Sequence, residues 1–322
     1  MTKNIRFFLF AFLISFCFFG AANIFGGDIQ EFLLWEEPLK SPEIFRASLT
    51  SLEIQKKSEA AEPENPPLPP KAEPEFTAKS AISILLSEKG EEKVIYEKDS
   101  NKILPIASLA KLMNADIVLD NYDISQLGEV SKAAVSQEGE TGNLKIGEKL
   151  SVENLLYVML IESSNDAAYS LADAIGQKNF VDLMNLEANY LGMKDTHFED
   201  STGISSKTKS SAKDLIILTR HLFEKPLIWD ILSKPKFKLY YPDGVFHHEL
   251  INTNEFLTSK DAGFEVIGGK TGYTNDAKGC FLLVLEISEE KELINIILGS
   301  DDRFEEMEKL INFVVEHGGI TD

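Results

Sequence analysis

The chain has 322 residues, and 52 Asp and Glu against 32 Lys and Arg give it a formal charge of −20. That balance excludes nucleic acid and anionic lipid as principal partners without identifying a substrate. Hydrophobic residues make up 43% of the chain, enough for one large domain with appendages.

Residues 1–26 read as a membrane segment. An apolar run begins at Phe7 behind Lys3 and Arg6 and continues without a charge to Phe25, and Asp28 follows it. This is close to the length of about 20 residues that spans a bilayer, and the positive flank keeps the N-terminus cytoplasmic. A retained anchor is the preferred reading, and a signal peptide cleaved near Gly20-Ala21-Ala22 is the alternative. Either exports the rest of the chain, to a membrane-tethered or a secreted state. Cys17 follows Phe16, which does not suit lipidation, and Cys17 and Cys280 would lie in different compartments, so no disulfide framework is expected.

Residues 27–76 are a linker. The stretch from Ala61 to Glu75 is rich in Pro and Glu and has almost no apolar side chains, so it builds no core and reads as an extended spacer. Phe32 to Trp35 ahead of it could form a short amphipathic element of no assigned function.

Residues 77–322 carry the fold. Ser80–Leu86 and Lys93–Tyr96 read as a hairpin about Gly90. A helix runs from Ser108 to about Asp120. Ser151 caps a second helix ending at Glu162, Asn165–Ile175 and Phe180–Leu191 follow, and Ser211 caps a helix stopped by Pro226. Phe237–Tyr241 and Val245–Ile251 form a hairpin about Pro242-Asp243-Gly244. Three strands come next, near 268–274, 280–287 and 293–298, and a helix over about 302–316 ends the chain. Cys280 reads as a small buried hydrophobe. Strands at both ends with helices between predict an α/β fold of the α+β type, an antiparallel sheet of about five strands sandwiched by helices.

Three short stretches carry chemistry. Ser108 and Lys111 stand three apart at the head of an apolar helix, on one face, with Cβ atoms roughly 5–6 Å apart. An amine so placed can take the serine proton if burial or a neighbouring cation lowers its basicity. Glu162-Ser163-Ser164-Asn165 ends a second helix, and Gly269-Lys270-Thr271-Gly272-Tyr273 opens a strand. Ser-x-x-Lys, Ser-x-Asn and Lys-Thr-Gly, in that order, are the signature set of penicillin-binding proteins and class A β-lactamases.

With these motifs in place, residues 77–322 resemble the D-alanyl-D-alanine carboxypeptidases, low-molecular-mass penicillin-binding serine peptidases. Gly147-Glu148-Lys149-Leu150, Asn165-Asp166-Ala167-Ala168, Asn252-Thr253-Asn254-Glu255 and Asp302-Arg303-Phe304 carry the resemblance beyond the motifs. The C-terminal β-domain and amphipathic tail of several relatives are not in this sequence, a departure that favours the N-terminal anchor.

The resemblance implies a nucleophile at Ser108 and a general base at Lys111, its basicity lowered by Lys270. It implies that Ser163 relays a proton to the leaving amine and that Asn165 holds Lys111 and a substrate carbonyl. Lys270 and Thr271 would bind the terminal carboxylate, with Arg303 as a further ligand or else a surface arginine. Gly272 would admit the substrate backbone, and the N–H groups of Ser108 and Tyr273 would form the oxyanion hole. The implied activity removes the terminal D-alanine from peptidoglycan pentapeptides, with β-lactams as acylating inhibitors and no metal or organic cofactor.

Other readings are open to test. A β-lactamase would need a glutamate to activate deacylating water, and Glu199 is the residue in the right region. A D,D-transpeptidase shares the first half-reaction, and a wall-binding scaffold would share the fold alone. His247-His248 reads as a solvated hairpin rather than a metal site. The glycine that a phosphate loop requires six residues before Lys270 is Phe264, which excludes that motif.

Overall fold

Strand alternation explains the centre of the molecule. In a computed structural model that describes residues 75–87, 90–139, 142–259, 264–288 and 291–320, the run Cys280 to Leu285 sends successive side chains into two different cores. Cys280, Leu282 and Val284 join the larger core, and Phe281, Leu283 and Leu285 the smaller one; all six are wholly buried. A continuous apolar run is what a strand covered on both faces requires.

That strand is β10 (Lys278–Ser288) of a five-stranded sheet. The others are β1 (Ser80–Ser87), β2 (Glu92–Lys98), β9 (Glu265–Thr274) and β11 (Lys291–Ser300), in the spatial order β2-β1-β11-β10-β9, with every pairing antiparallel. The expected sheet of about five strands is therefore present. Three short pairs lie outside it: β3 (Leu104–Pro105) with β6 (Lys209–Ser210), β4 (Leu127–Glu129) with β5 (Lys149–Ser151), and β7 (Lys236–Tyr240) with β8 (Phe246–Ile251).

The seven α-helices among the described residues are α1 (Ala110–Asn121), α2 (Val152–Ile161), α3 (Asn165–Asp173), α4 (Gln177–Leu191), α5 (Ala212–Leu222), α6 (Pro226–Leu232) and α7 (Arg303–His317). Helix α7 lays Met307, Leu310, Ile311 and Val314 on the smaller core, and α5 lies against β1 and β11 on the opposite face. Helix α1 packs against α2, α3 and α4, and its residues 110–118 are all buried. A helix covered all round is a core element, so Lys111, Asn114 and Asp116 are polar groups taken out of water.

Caps set the helix ends. The hydroxyls of Ser151, Ser164 and Ser211 accept the N–H of Asn154, Ala167 and Asp214, each at 3.1 Å, and Asp302 caps α7. Such caps are worth about 0.5–2 kcal/mol apiece. Gly192, at φ 83°, closes α4. Pro226 departs from expectation. It stands at the first position of α6 rather than only stopping α5, a place where its missing N–H and fixed φ cost nothing.

The described residues all fall in one compact unit, residues 72–322. The expected membrane segment and nearly all of the linker lie outside the described residues. No described helix is long and apolar enough to cross a membrane.

Candidate active site

The position of Ser108 is built by two backbone constraints. Ser108 sits in a 3₁₀ turn, Ala107–Leu109, that runs straight into α1, so Lys111 follows one turn later. Ala107 is held at φ 47°, in the left-handed region that a non-glycine residue seldom enters. Ser163 is held likewise at φ 63°, between the end of α2 and the start of α3. Strain at Ser163 and at the residue before Ser108, neither of them in a hairpin turn, marks positions that the surrounding fold over-determines.

Lys111 is wholly buried. Its Nζ lies 2.8 Å from Ser108 Oγ, and it donates to Asn165 Oδ1 at 2.7 Å and to the Thr202 carbonyl at 2.9 Å. Asn165 is oriented in turn by donating Nδ2 to the Glu138 carbonyl at 2.6 Å. Lys270, 1% exposed, donates to Ser163 Oγ at 2.8 Å and to the Thr271 carbonyl at 2.9 Å. The Thr271 and Thr253 hydroxyls are 2.7 Å apart. The three motifs, read from separate parts of the chain, thus meet through two buried amines and two serines.

Ser108, Ser163, Asn165, Thr271, Gly272, Tyr273 and Arg303 line one cleft of about 590 Å³, with Lys111 and Lys270 beneath its surface. Gly272 pairs with Cys280 across the β9–β10 ladder and passes so close to Ser108 that a Cβ there would sit 2.9 Å from the Ser108 nitrogen. Only glycine lets the strand edge approach the Ser108 N–H this closely. Cys280 is buried as expected, and burial pushes its thiol up to about 11, so it offers no competing nucleophile.

Arg303, at the start of α7, is half-buried rather than a free surface arginine. Burial pulls its guanidinium down from the ordinary value, with Glu255 the largest opposing influence, and its Nε has no hydrogen-bond partner among the described residues. An arginine remains cationic under such a shift, and it brings positive charge to the cleft.

Other residues of the site lie outside the three motifs. Asp200 organises the loop that supplies the Thr202 carbonyl: Oδ1 accepts from the Thr202 N–H and hydroxyl and from the Gly203 N–H, and Oδ2 from the Ser205 N–H and the Thr208 hydroxyl. Asn114 ties α1 to the same loop through the Ser201 carbonyl, 2.9 Å away. An Asp followed by Ser, Thr and Gly is a turn signal, but nothing in that signal says which side chain the turn serves.

One alternative loses support and one expectation changes. Glu199 does not line the cleft; it is 44% exposed and within 3.5 Å of both His197 and Lys207. The hairpin histidines are not solvated. The His247 side chain is only 5% exposed and lies 2.8 Å from Glu148, and His248 lies 3.1 Å from Glu162, because β8 folds back over α2 and the loop before β5.

Asp166, next to Asn165, is wholly buried with neither carboxylate oxygen hydrogen-bonded among the described residues, and burial raises its pKa to about 6. A raised carboxyl pKa favours the fold when protonated. The advantage is complete below the unfolded value near 4 and is lost as pH rises through about 6. Asp166→Asn should therefore stabilise the protein by up to roughly 3 kcal/mol at pH 7 and by little at pH 4. Denaturant melts at the two pH values check this, and an equal effect at both would refute it.

Comparisons place this geometry. A family model described as D-alanyl-D-alanine carboxypeptidase, Peptidase S11, matches residues 69–302. A D-alanyl-D-alanine endopeptidase of Pseudomonas aeruginosa is 31% identical over 67% of this chain and 70% of its own length. D-alanyl-D-alanine carboxypeptidase DacF of Bacillus subtilis is 33% identical over 63% of this chain, which spans only 53% of that relative. The Streptomyces K15 DD-transpeptidase superposes with a TM-score of 0.68 at 25% identity, covering 76% of this chain and 99% of that one. A D-alanyl-D-alanine carboxypeptidase from Mycobacterium tuberculosis gives 0.66 at 25%, covering 80% and 96%. With the family match running from the linker to the cap of α7, the chain belongs to the D-alanyl-D-alanine carboxypeptidase family of serine peptidases, Peptidase S11, and has the penicillin-binding-protein fold.

Proposed function

We propose that this DD-peptidase acts as a carboxypeptidase, removing the terminal D-alanine of peptidoglycan pentapeptides through an acyl-enzyme on Ser108. The observation that carries the reading is one cleft joining a serine bonded to a buried amine with the Arg303 guanidinium and the Thr271 hydroxyl. The first pair attacks a carbonyl; the second suits a free carboxylate beside it.

In this reading Lys111 takes the Ser108 proton as Oγ attacks the penultimate carbonyl, and the N–H groups of Ser108 and Tyr273 hold the oxyanion. Ser163, bonded to Lys270, passes a proton to the leaving D-alanine nitrogen. Asn165 fixes Lys111 and offers its amide to the substrate. Lys270, Thr271 and Arg303 bind the terminal carboxylate. Water then releases the acyl group. A β-lactam acylates Ser108 by the same steps, and the position of Glu199 at the surface favours slow release over β-lactamase turnover. The N-terminal apolar segment supports a domain held outside the cytoplasm, at the membrane.

The relatives divide between carboxypeptidases and endopeptidases, so the test scores both bonds. Purified protein is incubated with a pentapeptide and with a cross-linked muropeptide dimer, and free D-alanine and dimer loss are followed beside Ser108→Ala. Faster D-alanine release, abolished in the variant, is expected. Dimer cleavage that outpaces it would move the assignment to an endopeptidase, and transfer to an added amine would move it to a transpeptidase.

A further inference from the structure

Further along α1 from Ser108, three helices bring together ligand groups that the cleft does not use. Asp116 on α1, Glu187 on α4 and His221 on α5 each offer one ligand atom, and these atoms lie within 4.8 Å of one another. Asp116 is wholly buried. Its Oδ1 is approached by His221 Nε2 at 3.1 Å and by Lys225 Nζ at 2.8 Å, while its Oδ2 has no hydrogen-bond partner among the described residues. A buried carboxylate oxygen without a donor is a group that a cation would satisfy.

Lys225 does not neutralise the cluster alone, because it is shared with Asp120. Three carboxylates, Asp116, Asp120 and Glu187, face one lysine and a histidine. Burial first, then the Asp116 charge, raises the Glu187 carboxyl above its ordinary value, as expected where two acids are crowded.

We propose that Asp116, Glu187 and His221 form a site for a divalent transition metal ion, Zn²⁺ in the first instance, which staples α1 to α4 and α5. One imidazole nitrogen and two carboxylate oxygens make a donor set for zinc-like ions rather than for the all-oxygen cations Ca²⁺ and Mg²⁺. Tetrahedral bonds of about 2.0–2.1 Å hold neighbouring ligand atoms roughly 3.3 Å apart, so the three ligands, within 4.8 Å of one another, draw together on binding, with the unpartnered Asp116 Oδ2 free to join them. The His221 side chain is 20% exposed and borders a surface cleft with Arg220 and Glu224, so one ligand of the set is reachable from solvent. The site takes no part in acyl transfer. It anchors the helix whose other end carries Ser108 and Lys111, so its consequence is stability.

The competing explanation is a structural ion pair, with Lys225 and His221 as the only cations Asp116 ever meets. Full-length protein is stripped with EDTA, dialysed and titrated with Zn²⁺ by calorimetry, with metal content and melting temperature read in parallel. One Zn²⁺ per chain, a higher melting temperature, and affinity at least tenfold weaker in Glu187→Gln and in His221→Ala are expected. Lys225→Met, which removes the competing cation, should bind at least as tightly as wild type. His248→Ala should leave the stoichiometry unchanged. No stoichiometric binding, or binding that Glu187→Gln and His221→Ala leave intact, overturns the proposal, as does loss of binding in Lys225→Met. Benzylpenicillin acylation of each variant confirms that it is folded.

Discussion

Lys111→Ala is expected to slow acylation of Ser108 by benzylpenicillin by about 10²–10⁴-fold, the range that a general base contributes. The argument rests on how the amine is held. Among its hydrogen bonds, those to Asn165 Oδ1 and the Thr202 carbonyl go to fixed acceptors, while the Ser108 hydroxyl works in either sense. A neutral amine has two N–H groups for the two carbonyl oxygens and one lone pair left over, aimed at the serine proton. After transfer, the ammonium donates to Asn165 Oδ1, the Thr202 carbonyl and the Ser108 oxygen. No atom needs to be repositioned between the two states, and that is preorganisation of the kind that lowers a barrier. Lys111→Arg should be no better than alanine, because a guanidinium does not give up its proton at neutral pH. Truncation also leaves buried acceptors unpaired, so a stability loss of about 1–3 kcal/mol should accompany the kinetic one. Time-resolved intact-mass measurement separates the effects at a temperature where both proteins are folded. Acylation within threefold of wild type would remove Lys111 from the base role.

What the sequence made legible follows from how local each signal is. The continuous apolar run from Cys280 to Leu285 and the serine caps at 151 and 211 are signals within a few residues, and the sheet and helices came out nearly where those signals put them. The three motifs are local as well, and the cleft gathers them. Legibility failed where a residue's meaning depends on a distant partner. Pro226 read as a stop, yet the same fixed φ that ends α5 also starts α6. His247 and His248 lie in a polar hairpin, and only the packing of that hairpin against Glu148 and Glu162 buries them. Asp116 sits in an apolar helix as an anomaly that no spacing rule explains; its neighbours come from helices α4 and α5, seventy and more positions away. Asp200 and Gly203 read as an ordinary turn, because a turn residue does not disclose what its carbonyl will face.

Gly203→Ala should be the most damaging small substitution in the loop beside Ser108. A Cβ at Gly203 would lie 1.9 Å from the Ala107 carbonyl oxygen and 2.5 Å from its carbon, and Gly203 is at φ 87°. Neither side can yield freely. Ala107 is already in the left-handed region, and its carbonyl accepts the Ala110 N–H that starts α1. On the loop side, Asp200 holds the Gly203 N–H, and the preceding carbonyl, of Thr202, holds Lys111. Relief of the clash must therefore either open the Lys111–Thr202 bond or turn the backbone that presents Ser108. A loss of about 3 kcal/mol or more in stability is expected, with acylation slowed roughly a hundredfold, as a displacement near 1 Å does at reacting atoms. The control is Gly147→Ala, at φ 78° with nothing within 4 Å of the added methyl. It carries only the backbone cost, about 1–2 kcal/mol, and should acylate at the wild-type rate. If the two variants behave alike, the left-handed backbone alone accounts for Gly203, and the contact with Ala107 has no part in placing the nucleophile. If they separate as expected, the 200–208 loop is a positioning element for Ser108 through its contact with Ala107, beside the Thr202 carbonyl that holds Lys111.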